Sequence, residues 1–157
     1  SRIDEGEFNQ SDIHKGIDSA VLLLSKEAGE RIRFHKKYGD IPEILCMPGH
    51  LNQVFMNLLL NGVQAIQGEG NIWISTSLDN SWVIINIQDD GKGIEEKELS
   101  KIFDPFYSTK LIGEGTGLGL SISYGIIEKH HGSILVESKV GEGTTFKVKI
   151  PSGKGKK

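Results

Sequence analysis

The segment 113–120 has the composition of a phosphate-binding loop. Four of its residues are glycines at alternate positions, namely Gly113, Gly115, Gly117 and Gly119, and an apolar segment follows at once. Glycine lets backbone N–H groups approach a ligand closely, and the N-terminus of a following helix attracts anions such as phosphate. The segment matches neither the P-loop nor the dinucleotide-binding pattern, and the protein-kinase signature motifs are absent. The rest of the chain must therefore identify the nucleotide fold.

Asn57 and Asn61 are a second group with chemical potential. They lie four residues apart within 48–67, where apolar residues recur at helical spacing, so both side chains project from one face of a predicted helix. An Asn carbonyl oxygen is a neutral ligand that suits Mg²⁺, which takes the rest of its shell from water and phosphates. The alternative is the exposed polar face of an amphipathic helix, and spacing alone leaves both interpretations open.

Asp89 ends a predicted strand whose apolar residues share one face with it. A carboxylate at the end of an apolar row needs a hydrogen-bond donor, and the exocyclic amine of adenine can supply one. Gly91 and Gly93 follow, and their lack of side chains would let a flat base lie close to the backbone. The alternative is an Asp-Gly turn with a solvated carboxylate, and the motif alone does not separate the two.

Two further positions can contact a nucleotide. Lys110 follows a segment with three aromatic residues, 103–107, and its ammonium can reach a terminal phosphate. Thr144 shares the inner face of the last predicted strand with Phe146, where it can touch a base or a bridging water. The alternatives are an ordinary loop with a small hydrophobic cluster and a β-branched strand residue beside a hairpin.

These residues need a scaffold, and the hydrophobic periodicity predicts one. The predicted order is helix, two short strands, helix, hairpin, long connection, helix and hairpin, over the segments 13–29, 32–34, 44–46, 48–67, 72–89, 91–116, 118–131 and 133–150. Asp12 is the expected N-cap of the first helix. This order predicts an α+β fold, a two-layer sandwich in which helices pack on one face of a mixed sheet.

Length, charge and cysteine content narrow the class of protein. The chain has 157 residues and a net charge of −3, which suits a single domain and argues against nucleic acid as a partner. Cys46 is the only cysteine, so a disulfide within the chain is impossible, and a reducing, cytoplasmic location fits. No apolar stretch approaches the ~18 residues of a membrane span, so we expect no membrane contact by this domain.

Taken together, the segments resemble the ATP-binding catalytic domain of bacterial sensor histidine kinases, in the superfamily that includes gyrase B, Hsp90 and MutL. The matching segments look like that family's N box, first glycine box, F box, second glycine box and last glycine signature, at 53–65, 89–94, 103–110, 113–120 and 141–146. The resemblance implies the Bergerat-type ATP-binding fold. It makes 12–151 the catalytic domain, with 91–116 as an ATP lid.

The resemblance also implies a role for each matching residue. Asn61 would be the Mg²⁺ ligand, Asn57 would sit beside the phosphates and water, and Lys110 would face the γ-phosphate. Asp89 would accept a hydrogen bond from the exocyclic amine of adenine. The other implied nucleotide-binding residues are Gly91, Gly93, Ile94, Gly115, Thr116, Gly117, Leu118, Gly119 and Thr144. Asn57 and Lys110 would be the catalytic residues, with ATP and Mg²⁺ as cofactors.

Asn57 distinguishes this chain from the ATP-hydrolysing members of the superfamily, which resemble it but carry Glu at this position. A neutral amide cannot act as a general base, so we expect slow hydrolysis and phosphoryl transfer to another acceptor. Gly62 stands where Ala is common and should weaken the helix, and Gln64 stands where many members carry a basic residue. With the short lid, these features look like the nitrogen-regulation type of kinase.

The phosphoacceptor of such kinases is a histidine on a dimeric helical hairpin, and none of the 5 histidines lies in a matching His-Glu or His-Asp helical context. His14, His130 and His131 are predicted to be surface positions. We expect 1–11 to be a linker from an absent dimerisation domain, or a first edge strand, and 152–157 to be a tail.

The resemblance implies that the isolated domain is a monomer and that the full-length protein is a homodimer. It is compatible with a membrane anchor elsewhere in the full-length protein, and it implies a response regulator as an indirect partner. Two rival functions are a serine protein kinase of the anti-sigma type and a non-catalytic nucleotide-sensing module. The linker-like start favours a sensor kinase over the first rival, and the intact Asn57, Asn61 and Lys110 argue against the second.

Overall fold

The computed structural model describes residues 7–105 and 119–153. Its strands are β1 (Asn9–Ser11), β2 (Ile32–Tyr38), β3 (Ile44–Cys46), β4 (Gly70–Asp79), β5 (Trp82–Asp89), β6 (Ser133–Lys139) and β7 (Gly143–Pro151). Its helices are α1 (Ile13–Ala28), α2 (Pro48–Ala65), the short α3 (Glu96–Leu99) and α4 (Gly119–Lys129). The predicted order of elements is confirmed. The structure adds α3, which lies inside the predicted connection. β1 corresponds to the first edge strand, one of the two alternatives predicted for 1–11.

Five strands form one mixed sheet in the order β2-β4-β5-β7-β6. β2 and β4 are parallel, and the other neighbouring strands are antiparallel. β1 and β3 form a separate antiparallel pair. Helices cover one face of the large sheet, with α2 between α1 and α4. The fold is therefore the predicted α+β two-layer sandwich.

The hydrophobic core lies between the sheet and the helices. Alternate strand residues point into it and are nearly fully buried, among them Val83, Ile85, Ile87, Phe146, Val148 and Ile150. α2 contributes residues at helical spacing, namely Leu51, Val54, Phe55, Leu58 and Leu59. Burial of this apolar surface is the main force that holds the two layers together. Among the described residues, no helix combines the length and apolarity that a membrane crossing requires.

The ends of the helices follow local capping rules. The Asp12 side chain caps α1, as predicted. α2 ends at Ala65, two residues before the predicted end, because the chain becomes extended at Ile66. Arg31 donates from Nη1 to the carbonyl oxygens of Ile66 and Gly68, at 2.9 and 3.0 Å. The guanidinium therefore satisfies backbone carbonyls just beyond the end of the helix.

The surface position predicted for His130 is wrong, whereas His131 is exposed as predicted. His130 is only 4% exposed; its Nε2 accepts from the Met47 N–H at 3.0 Å, and its Nδ1 lies 2.9 Å from the Ile126 carbonyl oxygen. His14 is partly buried, with Nε2 at 2.7 Å from Thr76 Oγ1. The bond to Met47 and the contact with Thr76 join segments that are distant along the chain, so local spacing could not reveal this burial.

Candidate functional site

Asp89 lies at the end of β5 with its carboxylate turned inward, as the strand alternation predicts. It is 5% exposed, and its Oδ1 accepts a hydrogen bond from the Gly91 N–H at 2.8 Å. Burial raises the pKa of Asp89 to about 6, although backbone hydrogen bonds from Gly91 and Thr144 act in the opposite direction. The site thus contains a carboxylate that burial disfavours in its charged form.

The start of β7 packs directly against the backbone of Asp89. Gly143 has a φ of 121°, and a Cβ at this position would lie 1.9 Å from the Asp89 carbonyl oxygen, so only glycine fits. Gly93 has a φ of 79°, and a Cβ there would lie 2.2 Å from the Lys139 carbonyl oxygen. Gly93 therefore brings the loop after β5 against the β6–β7 hairpin, and the approach of a base to Gly93 stays a prediction.

Ser138 joins these two segments through its hydroxyl group. Its Oγ accepts from the Ile94 N–H at 2.7 Å, donates to the Gly143 carbonyl oxygen at 2.9 Å and lies 2.8 Å from Thr144 Oγ1. Thr144 is 5% exposed and faces inward, as predicted. Sequence analysis missed Ser138, although the alternation of buried Ile134 with exposed residues in β6 places Ser138 on the same inner face.

α2 lies beside the carboxylate and carries the two predicted asparagines on one face. A Cβ at Gly62 would lie 3.3 Å from Asp89 Cβ and 3.5 Å from Asp89 Oδ2, so this helix position contacts the carboxylate. Asn61 precedes it and is partly buried. Asn57, one turn earlier, donates from Nδ2 to the Gly119 carbonyl oxygen at 3.0 Å and to Ser123 Oγ at 3.1 Å. α2 therefore extends from the carboxylate to the N-terminus of α4.

Ser123 is a second residue that sequence analysis missed. It is 0% exposed on α4, and its hydroxyl helps to hold the Asn57 amide. A polar residue on the buried face of a helix needs a partner, which is the signal that could have identified it.

The aromatic segment 103–107 is described only up to residue 105. The Phe103 ring lies 5.4 Å from the Tyr124 ring and 6.4 Å from the Phe146 ring, between centroids, so it anchors this segment to α4 and β7. The remaining predicted phosphate-binding residues, Lys110, Gly115, Thr116, Gly117 and Leu118, lie outside the described residues. Among the described residues, no cluster of three or more His, Cys, Asp or Glu side chains could hold a metal.

The described part of the site therefore has two ends. One end combines a buried carboxylate with an inward hydroxyl, which suits a flat ligand that donates hydrogen bonds. The other end combines the asparagine amides of α2 with the N-terminus of α4, where the helix dipole favours negative charge. A ligand with a hydrogen-bonding base at one end and phosphates at the other matches both.

Comparison with known proteins agrees with this arrangement. The family described as histidine kinase-, DNA gyrase B- and HSP90-like ATPase matches residues 47–154. Sporulation kinase E of Bacillus subtilis (strain 168) is 46% identical over 113 residues, which are 71% of this chain and 15% of that protein. Sensor histidine kinase ZraS of Escherichia coli (strain K12) is 40% identical over 143 residues, which are 89% of this chain and 30% of that protein. The chain thus spans less than a third of either relative.

Solved structures show the same fold. The nucleotide-free catalytic domain of histidine kinase ThkA superposes with a TM-score of 0.83 at 29% identity, over 93% of this chain and 98% of that domain. Full-length ShkA in complex with AMPPNP gives a TM-score of 0.82 at 26% identity, over 92% of this chain and 31% of that one. The chain therefore belongs to the histidine kinase-, DNA gyrase B- and HSP90-like ATPase family, as a homologue of the catalytic domains of sensor histidine kinases.

Proposed function

We propose that this chain binds ATP with Mg²⁺ and donates the γ-phosphate to a histidine on a separate dimerisation domain. The observation that carries the proposal is the buried Asp89 carboxylate, which faces an inward Thr144 hydroxyl in a domain of an ATP-binding family. Asp89 and Thr144 are direct partners in the register of β5 and β7, so both can contact one ligand.

The base end supports an adenine nucleotide. Hydrogen bonds from the backbone of Gly91 and Thr144 position the Asp89 carboxylate, which has lone pairs left for a donor. The exocyclic amine of adenine is such a donor. The related full-length ShkA was solved with AMPPNP, an adenine nucleotide.

The phosphate end supports Mg²⁺ and a developing negative charge. Both amide hydrogens of Asn57 are directed at α4, so the carbonyl oxygen is the remaining polar atom of this side chain. Asn61 would hold Mg²⁺ through its carbonyl oxygen, together with phosphate oxygens, which is the mixed shell that Mg²⁺ prefers. When bound, Mg²⁺ would neutralise phosphate charge. Lys110 would add a positive charge at the γ-phosphate.

Asn57 also favours transfer over hydrolysis. Its amide cannot accept a proton from water, and its side chain is tied to Gly119 and Ser123. Phosphoryl transfer needs positioning and charge stabilisation more than a strong base. Bound ATP can therefore stay unhydrolysed until the imidazole of the acceptor histidine reaches the γ-phosphate.

The proposed acceptor is a histidine on a dimeric helical hairpin of the full-length protein, which would act in the cytoplasm as a homodimer and pass phosphate to a response regulator. This chain spans 30% or less of the two kinases compared above, so such proteins have room for further domains.

Calorimetry with ATP and Mg²⁺ tests the binding step. We expect Asp89→Asn to weaken ATP binding by about 10- to 100-fold, because a hydrogen bond to a charged group is worth roughly 1.5–3 kcal/mol. Asn61→Ala should remove most of the Mg²⁺ dependence. Asp90→Asn is the matched control, because Asp90 is exposed and binds Asn71 through both its carboxylate oxygens.

Incubation with labelled ATP and a dimeric hairpin that carries a phosphoacceptor histidine tests the transfer step. We expect label on the hairpin that is lost in acid, as phosphohistidine is. Acid-stable label would indicate a serine kinase, and tight ATP binding without transfer to any such hairpin would indicate a sensing module.

A further inference from the structure

We propose that Ser138 is a positioning residue that turns the Thr144 hydroxyl into a hydrogen-bond acceptor, so that the base pocket selects a 6-amino purine over a 6-oxo purine. The inference deepens the proposed function and rests on it. It concerns base selection, and it follows from the hydrogen-bond partners of one hydroxyl group.

The Ser138 hydroxyl has three polar neighbours, and two of them have fixed roles. The Ile94 N–H can only donate, and the Gly143 carbonyl oxygen can only accept. Both distances are short, at 2.7 and 2.9 Å. Ser138 therefore uses one lone pair for Ile94 and its single hydrogen for Gly143.

The third neighbour is Thr144 Oγ1, at 2.8 Å. Because the Ser138 hydrogen is already used, Ser138 can only accept in this contact, and the Thr144 hydrogen must point at Ser138. Thr144 then has lone pairs but no hydrogen for a ligand. In this way, Ser138 fixes the direction of a hydroxyl group that could otherwise rotate.

Thr144 and Asp89 face the same space. They are direct partners across β5 and β7, both point to the inner face, and both are 5% exposed. An ionised carboxylate accepts hydrogen bonds only, and Ser138 gives Thr144 the same polarity. The two side chains thus present acceptors and no hydroxyl donor.

A 6-amino purine matches this polarity, because its exocyclic amine has two N–H groups. A 6-oxo purine replaces this amine with a carbonyl oxygen. Where both side chains contact the substituent at position 6, that oxygen would face acceptors without a donor. Sites built around a defined hydrogen-bond polarity discriminate strongly against such analogues, since a buried unpaired polar group costs about 1–3 kcal/mol.

Removal of the Ser138 hydroxyl should relax this selection. In Ser138→Ala, the Thr144 hydroxyl is free to rotate and can donate to a 6-oxo group. We expect the ratio of the ITP and ATP dissociation constants, measured by calorimetry with Mg²⁺ at about pH 8, to fall by about tenfold. Ser138→Thr keeps a hydroxyl and should keep the wild-type ratio.

Three further variants separate this role from a merely structural one. Ser133→Ala removes an exposed hydroxyl from the same strand and should leave the ratio unchanged. Ser138→Cys preserves size if the alanine variant folds poorly, and it should also lower the ratio. In a Thr144→Val background, Ser138→Ala should no longer change the ratio, because the hydroxyl that it controls is gone.

The outcomes are distinct. Equal weakening of ATP and ITP binding by Ser138→Ala and Ser138→Cys would overturn the proposal and make Ser138 a structural residue only. An undiminished effect of Ser138→Ala in the Thr144→Val background would also overturn it. If the wild-type chain does not bind ATP, the proposed function itself fails. If the wild-type chain prefers ATP and both Ser138 variants keep that preference, only the present inference fails.

Discussion

Asp89 and His130 are both buried ionisable side chains, yet they lie in different environments. They are 5% and 4% exposed, and burial disfavours the charged form of each: it raises the pKa of Asp89 to about 6 and lowers the pKa of His130. Asp89 ends β5 in the candidate site, whereas His130 follows α4 and contacts the N-terminal end of α2 through Met47.

The difference lies in the hydrogen-bonding capacity that remains. His130 uses both ring nitrogens, one with Met47 and one with Ile126, and its ring packs 5.3 Å from the Phe8 ring, between centroids. Asp89 receives backbone hydrogen bonds from Gly91 and Thr144, and a carboxylate can accept about four. A buried polar group with spare capacity indicates a ligand site, whereas a saturated one indicates a structural contact.

The largest expected effect is on stability at His130. His130→Ala should lower the free energy of unfolding by about 4 kcal/mol, because it leaves a cavity and an unpaired Met47 N–H at the start of α2. Urea unfolding followed by circular dichroism measures this change. ATP affinity below the unfolding transition should stay within about threefold of the wild type.

Glu128→Ala, on the exposed side of α4 and two residues before His130, is the matched control and should leave stability nearly unchanged. A His130→Ala variant that is as stable as the wild type but fails to bind ATP would reverse the assignment of roles.

A slightly smaller effect is expected in the pH dependence of stability at Asp89. Because its pKa rises from 3.8 to about 6 on folding, its contribution to stability is fully present below pH 3.8 and is lost as the pH rises through about 6. The gain in unfolding free energy of Asp89→Asn over the wild type should therefore grow by about 3 kcal/mol between roughly pH 4 and pH 7.

Asp90→Asn is the control with the opposite sign. Burial acts to raise the pKa of Asp90, but hydrogen bonds from Asn71 outweigh it and the pKa is lowered. Asp90 therefore contributes stability above pH 3.8 that is lost as the pH falls. Parallel pH profiles for the two variants would contradict the difference in environment between these adjacent carboxyl groups.

The inward positions of Asp89 and Thr144 in the candidate site could be predicted from the sequence, because strand alternation is a local rule. Asp89 and Thr144 each follow the alternation of their own strand, and both face inward. Helical spacing in the same way puts Asn57 and Asn61 on one face of α2. Ser138 obeys the same rule, because it shares the inner face of β6 with the buried Ile134.

The burial of His130 could not be predicted in this way. Its neighbours in sequence are polar, Lys129 and His131, and its partners Met47 and Phe8 are distant along the chain. The same holds for the backbone contact of Gly93 with Lys139, which depends on how a loop meets a hairpin. Local patterns assign residues to faces, but tertiary packing decides which faces meet.

The smallest expected effect concerns Gly62, where α2 touches Asp89. Ala is the better helix former by about 1 kcal/mol. Its Cβ would lie 3.1 Å from Ile72 Cδ1, so the cost of shifting this isoleucine methyl cancels part of the gain. We expect Gly62→Ala to raise the unfolding free energy by roughly 0.5 kcal/mol. Gly125→Ala, on α4 with open space around the new Cβ, measures the propensity gain alone. The new methyl would lie 3.3 Å from Asp89 Cβ, a tight contact, and 3.5 Å from Asp89 Oδ2, an ordinary one. Asp89 needs to shift by only a few tenths of an ångström, so ATP affinity should change by less than about twofold. A large loss of ATP affinity with unchanged stability would mean that ATP binding tolerates no displacement of Asp89. The position of the carboxylate would then matter as much as its spare hydrogen-bonding capacity.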